Sequence, residues 1–244
     1  MTVFLTSSPT GPLDNSRHVE GFDAKNHLIE NLKSCWKEGS RCLLISAAPA
    51  HPGFNDMVQG DMIHALQHNG FSFSYFETWD DRTTDFSREM LHSFDVIFLG
   101  GGHVPTQNEF FHRIHLRETI QDFPGIVLGI SAGTMNSSDV VYAQPELPGE
   151  AVDPHYNRFL QGLNLIQDNI LPHYQMTKDF HLDGMRLFEE ITYPDSCGKI
   201  FLALPDGSYV RIKDGMKELW GEAYQIKDGM ISQICEDGHW IRLD

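Results

Sequence analysis

A serine lies at the centre of the sharpest chemical pattern in the chain, Gly129-Ile130-Ser131-Ala132-Gly133. The pattern fits G-x-S-x-G, in which a nucleophilic serine occupies a strained turn between a strand and a helix. Such a turn exposes the serine hydroxyl, and the N–H of Ala132 at the helix start can face an oxyanion. The pattern therefore predicts nucleophilic acyl transfer. The alternative is that Ser131 only caps a helix.

Three consecutive glycines, Gly100-Gly101-Gly102, follow the apolar run Asp95–Leu99. Glycines let the backbone approach a ligand closely, and ligands of α/β sheets bind beyond the carboxyl ends of the strands. An N–H of Gly101 or Gly102 is therefore predicted to be the second oxyanion donor, with a simple tight turn as the alternative. A phosphate loop is disfavoured, because neither G-x-G-x-x-G spacing nor a following Lys-Ser/Thr pair is present.

A serine nucleophile needs a base, and thirteen histidines are available. His173 ends a short apolar run at Pro172, which predicts a strand end at the same edge of the sheet. His239 is the competing candidate, because α/β-hydrolases carry their histidine near the C-terminus. His51 and His103 fall on loops at the expected active edge and are candidates for contact with substrate.

Short apolar runs alternate with amphipathic stretches along the first half of the chain. The strand-like runs are continuously apolar, which indicates burial on both faces, as in a parallel sheet covered by helices. This order predicts an α/β fold with right-handed crossovers. The predicted strands are Val3–Thr6, Cys42–Ser46, Ser72–Phe76, Asp95–Leu99 and Gly125–Gly129, and the predicted helices are Ala24–Trp36, Met57–His68 and Asn108–Ile120.

The C-terminal third differs, because four Asp-Gly pairs that each signal a turn follow residue 204. A further core strand is predicted at Lys199–Leu204. We expect hairpins that complete one edge of the same sheet, not a separate domain. The strand-like runs around the turns are Tyr209–Ile212, Ala223–Ile226, Met230–Ile234 and Trp240–Leu243.

Composition limits the function further. The 244 residues are 41% hydrophobic, which is enough for a real core, and 34 acids against 18 bases give a formal charge of -16. Such a charge disfavours nucleic acids and anionic membranes as partners. Four scattered cysteines fit neither a zinc site nor a disulfide framework. With no leader-like start and no apolar run of about 18 residues, we expect a cytoplasmic protein.

Four motifs in order resemble the S51 serine peptidases, the group of aspartyl dipeptidase and cyanophycinase. The resemblance implies one domain over residues 1–244, with the three-layer, flavodoxin-like parallel sheet of class I glutamine amidotransferases, helices on both faces and C-terminal hairpins. It also implies serine in place of the amidotransferase cysteine. The motifs are Gly100-Gly101-Gly102, Gly129-Ile130-Ser131-Ala132-Gly133, Leu171-Pro172-His173-Tyr174 and Leu204-Pro205-Asp206-Gly207.

The resemblance also implies roles for individual residues. Ser131 matches the nucleophile and His173 the base, and Asp206 falls where aspartyl dipeptidase has a glutamate. An ordinary Asp-Gly turn is the alternative interpretation of Asp206. No metal or organic cofactor is required. The reserve acids are Glu146, Glu150 and Asp183.

The expected substrate is a small peptide, but this chain departs from the family where specificity is set. In aspartyl dipeptidase an arginine after the histidine contacts the aspartate of the substrate, whereas residues 176–183 contain no arginine. The sequence therefore assigns no specificity for N-terminal aspartate. The candidate substrate-binding residues are His103, Lys178, His181 and Arg186. Two histidine- and acid-rich patterns, Glu109/His112/His115 and Asp179/His181/Asp183, are interpreted as solvated faces, not metal ligands.

The sequence thus favours a serine hydrolase of small peptides that acts through an acyl-serine intermediate. Three alternatives stay open. The first is a cyanophycinase-like or esterase activity on the same residues, and the second is an α/β-hydrolase that uses His239. The third is a non-catalytic, amidotransferase-like binding module. A homodimer is kept open as the oligomeric state.

Overall fold

An eight-stranded sheet forms the centre of the molecule in a computed structural model that describes residues 1–10 and 21–243. The strand order is β16-β13-β12-β1-β5-β4-β2-β3. The strands are β1 Thr2–Thr6, β2 Ser40–Ile45, β3 Phe73–Trp79, β4 Val96–Leu99, β5 Ile126–Ile130, β6 Val140–Tyr142, β7 Phe159–Gln161, β8 Asn169–Leu171, β9 His181–Leu182, β10 Met185–Arg186, β11 Ile200–Ala203, β12 Tyr209–Lys213, β13 Met216–Trp220, β14 Ala223–Lys227, β15 Met230–Cys235 and β16 Trp240–Leu243.

Helices cover both faces of this sheet. They are α1 Leu28–Lys33, α2 Pro52–His68, α3 Arg88–Leu91, α4 Val104–Arg113, α5 Leu116–Ile120, α6 Ala132–Met135, α7 Tyr174–Thr177 and α8 Tyr193–Asp195, with a 3₁₀ turn at Lys25–His27 and a π-helical turn at Leu187–Thr192. Alternate residues of one strand enter opposite cores: Val3 and Leu5 pack with α4 and α5, and Phe4 packs with α1 and α2. Burial on both faces explains the continuous apolar runs. The predicted three-layer α/β fold is confirmed.

The strands β1, β5, β4, β2 and β3 are parallel neighbours, and β3-β2-β4-β5 reproduces the start of the flavodoxin-like order. Their carboxyl ends therefore lie along one edge of the sheet. At that edge Ser7 follows β1, Gly100 follows β4 and Ser131 follows β5. This edge positions the candidate site.

The C-terminal strands divide between two sheets. The strands β12, β13 and β16 extend the main sheet in antiparallel fashion, as predicted. The hairpin β14–β15 instead joins β8 and β11 in a second, four-stranded sheet. The expectation that all the hairpins complete one edge of the main sheet is therefore wrong for the hairpin β14–β15. The cause is long-range: β11 pairs in parallel with β8, far away in the chain.

Two predicted helices are interrupted. The segment predicted as Asn108–Ile120 starts earlier, at Val104 with Pro105 in the first turn, and breaks at His115, whose φ is +51°. The segment predicted as Ala24–Trp36 becomes a 3₁₀ turn followed by the short α1, with positive φ at Asn26 and His27. No helix in the described part of the chain combines the length and the apolarity needed to cross a bilayer.

Candidate active site

Ser131 occupies a strained turn between β5 and α6, with φ 50° and ψ −109°. A non-glycine residue held there costs about 1–3 kcal/mol and needs support from its surroundings. The support comes from the flanking glycines and their contacts. A Cβ on Gly133 would lie 2.2 Å from the carbonyl oxygen of Leu99, and a Cβ on Gly129 2.9 Å from Thr134 Oγ1. The G-x-S-x-G spacing therefore reflects the close packing of α6 on β4 and β5.

The imidazole of His173 reaches this serine. Its Nε2 lies 2.9 Å from Ser131 Oγ. His173 lies two residues beyond the end of β8 and adopts φ +57°, and its backbone N–H donates to Ser7 Oγ at 2.7 Å. The structure contradicts the alternative in which His239 is the base. His239 is exposed on the connection between β15 and β16, where its ring contacts the carbonyl oxygen of Asp237.

Asp206 holds the other side of the imidazole. Its Oδ1 lies 2.7 Å from His173 Nδ1 and also accepts the hydroxyl of Ser7 at 2.7 Å. Its Oδ2 accepts Gln175 Nε2 at 2.6 Å, and the N–H of Asp206 donates back to Gln175 Oε1 at 3.0 Å. The Asp206 carboxylate is only 3% exposed. An ordinary surface Asp-Gly turn does not account for these contacts.

The environment of Asp206 keeps it ionised. Burial raises the pKa of this carboxyl, but the hydrogen bond and charge of His173 and the donors Ser7 and Gln175 outweigh burial, so the net pKa lies below its usual value. Sequence reasoning missed Ser7 and Gln175. A weak signal existed for Ser7, because it follows a predicted strand whose end lies at the active edge.

The reserve acids are engaged elsewhere. Asp183 accepts the N–H groups of Gly149 and Ala151, at 2.8 and 3.1 Å. Glu150 accepts Nε2 of His103 at 2.8 Å, and Glu146 accepts the N–H of Val104 at 3.2 Å. Among the described residues, Asp206 is the acid that contacts the ring of His173.

The glycine loop runs beside the serine. A Cβ on Gly101 would lie 3.4 Å from Ser131 Cβ, and a Cβ on Gly102 would lie 2.8 Å from Ala47 Cβ. Gly100 anchors the loop, since its carbonyl accepts the N–H of Gly133 and the side-chain amide of Gln107. Within residues 1–10 and 21–243, the N–H groups of Gly101, Gly102 and Ala132 donate to no protein acceptor. These three groups are therefore available to an oxyanion.

The four predicted substrate-binding residues lie outside the cavities beside Ser131. The ring of His103 is held by Thr106 and Glu150, at 2.7 and 2.8 Å. Three exposed residues, Lys178, His181 and Arg186, follow α7. Arg186 faces Glu189 and Glu190. Their contact with substrate stays a prediction.

Two cavities adjoin the serine, and both are lined by Gly102, Ser131 and His173. The first, which we call the Glu146 cavity, measures about 290 Å³. The second, the Asp61 cavity, measures about 340 Å³ and lies against α2. The serine and histidine thus line both cavities, and each cavity has the volume of a side chain. In the described ranges, no three His, Cys, Asp or Glu side chains converge on a point where a metal could bind.

Fold and site together define an α/β protein whose strand-to-helix turn presents a serine to a His–Asp pair. The sequence model of Peptidase family S51 matches residues 15–220. The chain therefore belongs to peptidase family S51, which confirms the resemblance and supports a peptidase.

Solved structures show the same fold at low sequence identity. A peptidase from an acI-B1 Actinobacterium has a TM-score of 0.62 at 16% identity, covering 99% of this chain and 96% of the other. A candidate peptidase E protein from Listeria monocytogenes EGD-e has a TM-score of 0.58 at 17% identity, covering 96% and 98%. No curated protein sequence matches this chain significantly.

Proposed function

We propose that this protein is a serine hydrolase that cleaves a peptide or amide bond of a small peptide through an acyl-serine intermediate. One observation carries the proposal. An unbroken series of contacts joins Ser131 Oγ to His173 Nε2 at 2.9 Å and His173 Nδ1 to Asp206 Oδ1 at 2.7 Å, and it starts at a serine on a strained turn. This is the geometry of a serine activated by an oriented base.

Each group has a role in the proposed reaction. Ser131 Oγ attacks the carbonyl carbon while His173 Nε2 takes its proton, and the N–H groups of Ala132 and of Gly101 or Gly102 stabilise the oxyanion. His173 then gives that proton to the leaving amine as the C–N bond breaks, which leaves the acyl-serine. Water, deprotonated by His173, releases the acid and regenerates the hydroxyl of Ser131. Asp206 stays ionised throughout, in keeping with its lowered pKa.

A fluorophosphonate probe tests the nucleophile directly. We expect the probe to modify Ser131, located by mass spectrometry of the digest. Hydrolysis should fall by at least about 10⁴-fold in Ser131→Ala and in His173→Ala. His239→Ala is the matched control, because this exposed histidine, the competing candidate for the base, makes no contact with the serine. Labelling at another residue, or wild-type turnover by Ser131→Ala, would refute the proposal.

A substrate panel separates the remaining activities. Dipeptides, β-aspartyl dipeptides and p-nitrophenyl esters use the same serine and histidine, so their relative kcat/KM values distinguish a dipeptidase from a cyanophycinase-like enzyme or an esterase. Cavities of about 290 and 340 Å³ favour short substrates over folded proteins. A protein that neither reacts with the probe nor turns over any of these substrates would be a binding module.

A further inference from the structure

The Glu146 cavity contains a single acidic side chain in otherwise neutral surroundings. Apart from His173, which contacts the serine, Glu146 is the one ionisable side chain that lines the described cavity. Its other walls are mostly apolar, and they include Met135, Met176 and Phe180. No lysine or arginine of the described chain lines this cavity, and the nearby Lys178 and Arg186 also lie outside it.

The carboxylate of Glu146 is only partly satisfied by the protein. Its Oε1 accepts the N–H of Val104 at 3.2 Å. Nε2 of His103 lies 3.9 Å from the same oxygen, but that ring is already held by Glu150 and Thr106. Oε2 accepts no hydrogen bond from any described residue, and 43% of the side chain is exposed. A ligand in the cavity can therefore reach the free oxygen.

The surroundings make a negative charge at Glu146 costly. Burial raises the pKa of this carboxyl and the nearby Glu150 raises it further, so the net shift is upward despite His103, the Val104 N–H and His173. A cation that entered the cavity would lower this cost, because it would pair with a carboxylate whose Oε2 accepts no hydrogen bond from the described residues. An anionic group would be repelled by the Glu146 carboxylate, and no lysine or arginine of the described chain lines the cavity to offset that repulsion.

We propose that the Glu146 cavity binds an ammonium group of the substrate, attached through an apolar linker to the residue beside the bond that is cleaved. The inference rests on the proposed hydrolase and specifies its substrate class: peptides with a cationic group next to the cleaved bond, not acidic ones. The ammonium can come from a lysine-like side chain or from the free N-terminus, and the experiment has one arm for each source.

The first arm compares Lys with norleucine, its uncharged analogue, at either position of a dipeptide with Ala. The second compares norleucyl-alanine with its N-acetyl form. In at least one arm we expect the ammonium-bearing peptide to have a kcat/KM about tenfold higher or more, as for a hydrogen bond to a charged group. Glu146→Gln should reduce that ratio to below about twofold, because the amide removes the charge while its oxygen can still accept the Val104 N–H.

Asp61→Asn is the matched control, because it removes a carboxylate from the neighbouring cavity on α2. The ammonium preference should survive in this variant. The proposal is overturned if wild type shows no ammonium preference in either arm, if Glu146→Gln keeps the preference, or if Asp61→Asn abolishes it.

A binding measurement separates this inference from the hydrolase itself. The same peptide pairs are titrated into Ser131→Ala and into the Ser131→Ala/Glu146→Gln double variant, and affinity is measured by calorimetry without turnover. An ammonium preference that disappears in the double variant supports the cavity assignment even if no probe labels Ser131. Equal affinities for both members of each pair reject it even if the hydrolase is established.

Discussion

Ser7→Ala tests how the acid and the base of the site are held together. Ser7 is fully buried, and its hydroxyl donates to Asp206 Oδ1 while accepting the N–H of His173, both at 2.7 Å. The first hydrogen bond, to a charged group, contributes about 1.5–3 kcal/mol, and the second contributes about 0.5–1.5 kcal/mol. Losing both should lower the free energy of unfolding by about 2–4.5 kcal/mol.

The same substitution should lower turnover without weakening substrate binding. Asp206 keeps its hydrogen bonds from His173 and Gln175, so the loss should be far smaller than the roughly 10⁴-fold expected for a lost acid. About a tenfold fall in kcat, equivalent to about 1.4 kcal/mol, is the expected scale for a loosened imidazole. KM should stay within about twofold, because Ser7 lines neither cavity.

The assay combines urea denaturation with steady-state kinetics on the best substrate of the panel. Ser138→Ala is the control, since it also removes a buried serine hydrogen bond, to the carbonyl of Asp168 at 2.8 Å, but away from the site. It should lose about 1 kcal/mol of stability with kcat unchanged. If Ser7→Ala and Ser138→Ala changed kcat equally, the reasoning that Ser7 positions the His–Asp pair would fail.

Two further predictions concern stability. Gly133→Ala should lower the free energy of unfolding by about 3 kcal/mol, because the added Cβ would lie 2.2 Å from the carbonyl oxygen of Leu99. Gly60→Ala in α2 should raise the free energy of unfolding by about 1 kcal/mol, because no atom lies within 4 Å of the added Cβ. Chemical denaturation of both variants checks the pair. The lowered pKa of Asp206 implies a contribution to stability that is present above the unfolded pKa of about 3.9 and is lost as the pH falls through the lower folded value. Between pH 6 and pH 3, wild type should therefore lose more unfolding free energy than Asp206→Asn, and equal losses would contradict the shift.

The sequence predicts those features whose cause is local. The turn at Ser131 can be predicted because the close packing of the turn requires glycine at two positions near the serine in the sequence. The strands β1 to β5 can be predicted because burial on both faces makes their sequences continuously apolar. The break between α4 and α5 at His115 cannot be predicted in this way, since histidine does not require the positive φ that this residue adopts. The Asp-Gly turns predict hairpins, but the choice of sheet depends on the pairing of β11 with β8.

Side-chain partners from distant segments are harder to predict. Ser7 and Gln175 carry no motif, and only the tertiary structure brings them to Asp206. Glu146 was predictable only as a reserve acid, because its place in a cavity depends on the loop that follows β6.

The candidate site joins the two sheets, and Ser7 is one of the residues that link them. Ser131 follows β5 in the main sheet, whereas His173 and Asp206 follow the parallel neighbours β8 and β11 in the second sheet. The pairing Leu171↔Ala203, continued by Leu204 N–H to the Leu171 carbonyl, fixes His173 and Asp206 relative to each other. It does not fix them relative to Ser131. Ser7, which follows β1 in the main sheet, hydrogen-bonds to both His173 and Asp206. This hydroxyl, together with the backbone bonds from Ser7 N–H to the Ser208 carbonyl and from Gly207 N–H to the Ser8 carbonyl, holds the His–Asp pair at the edge of the main sheet that carries Ser131.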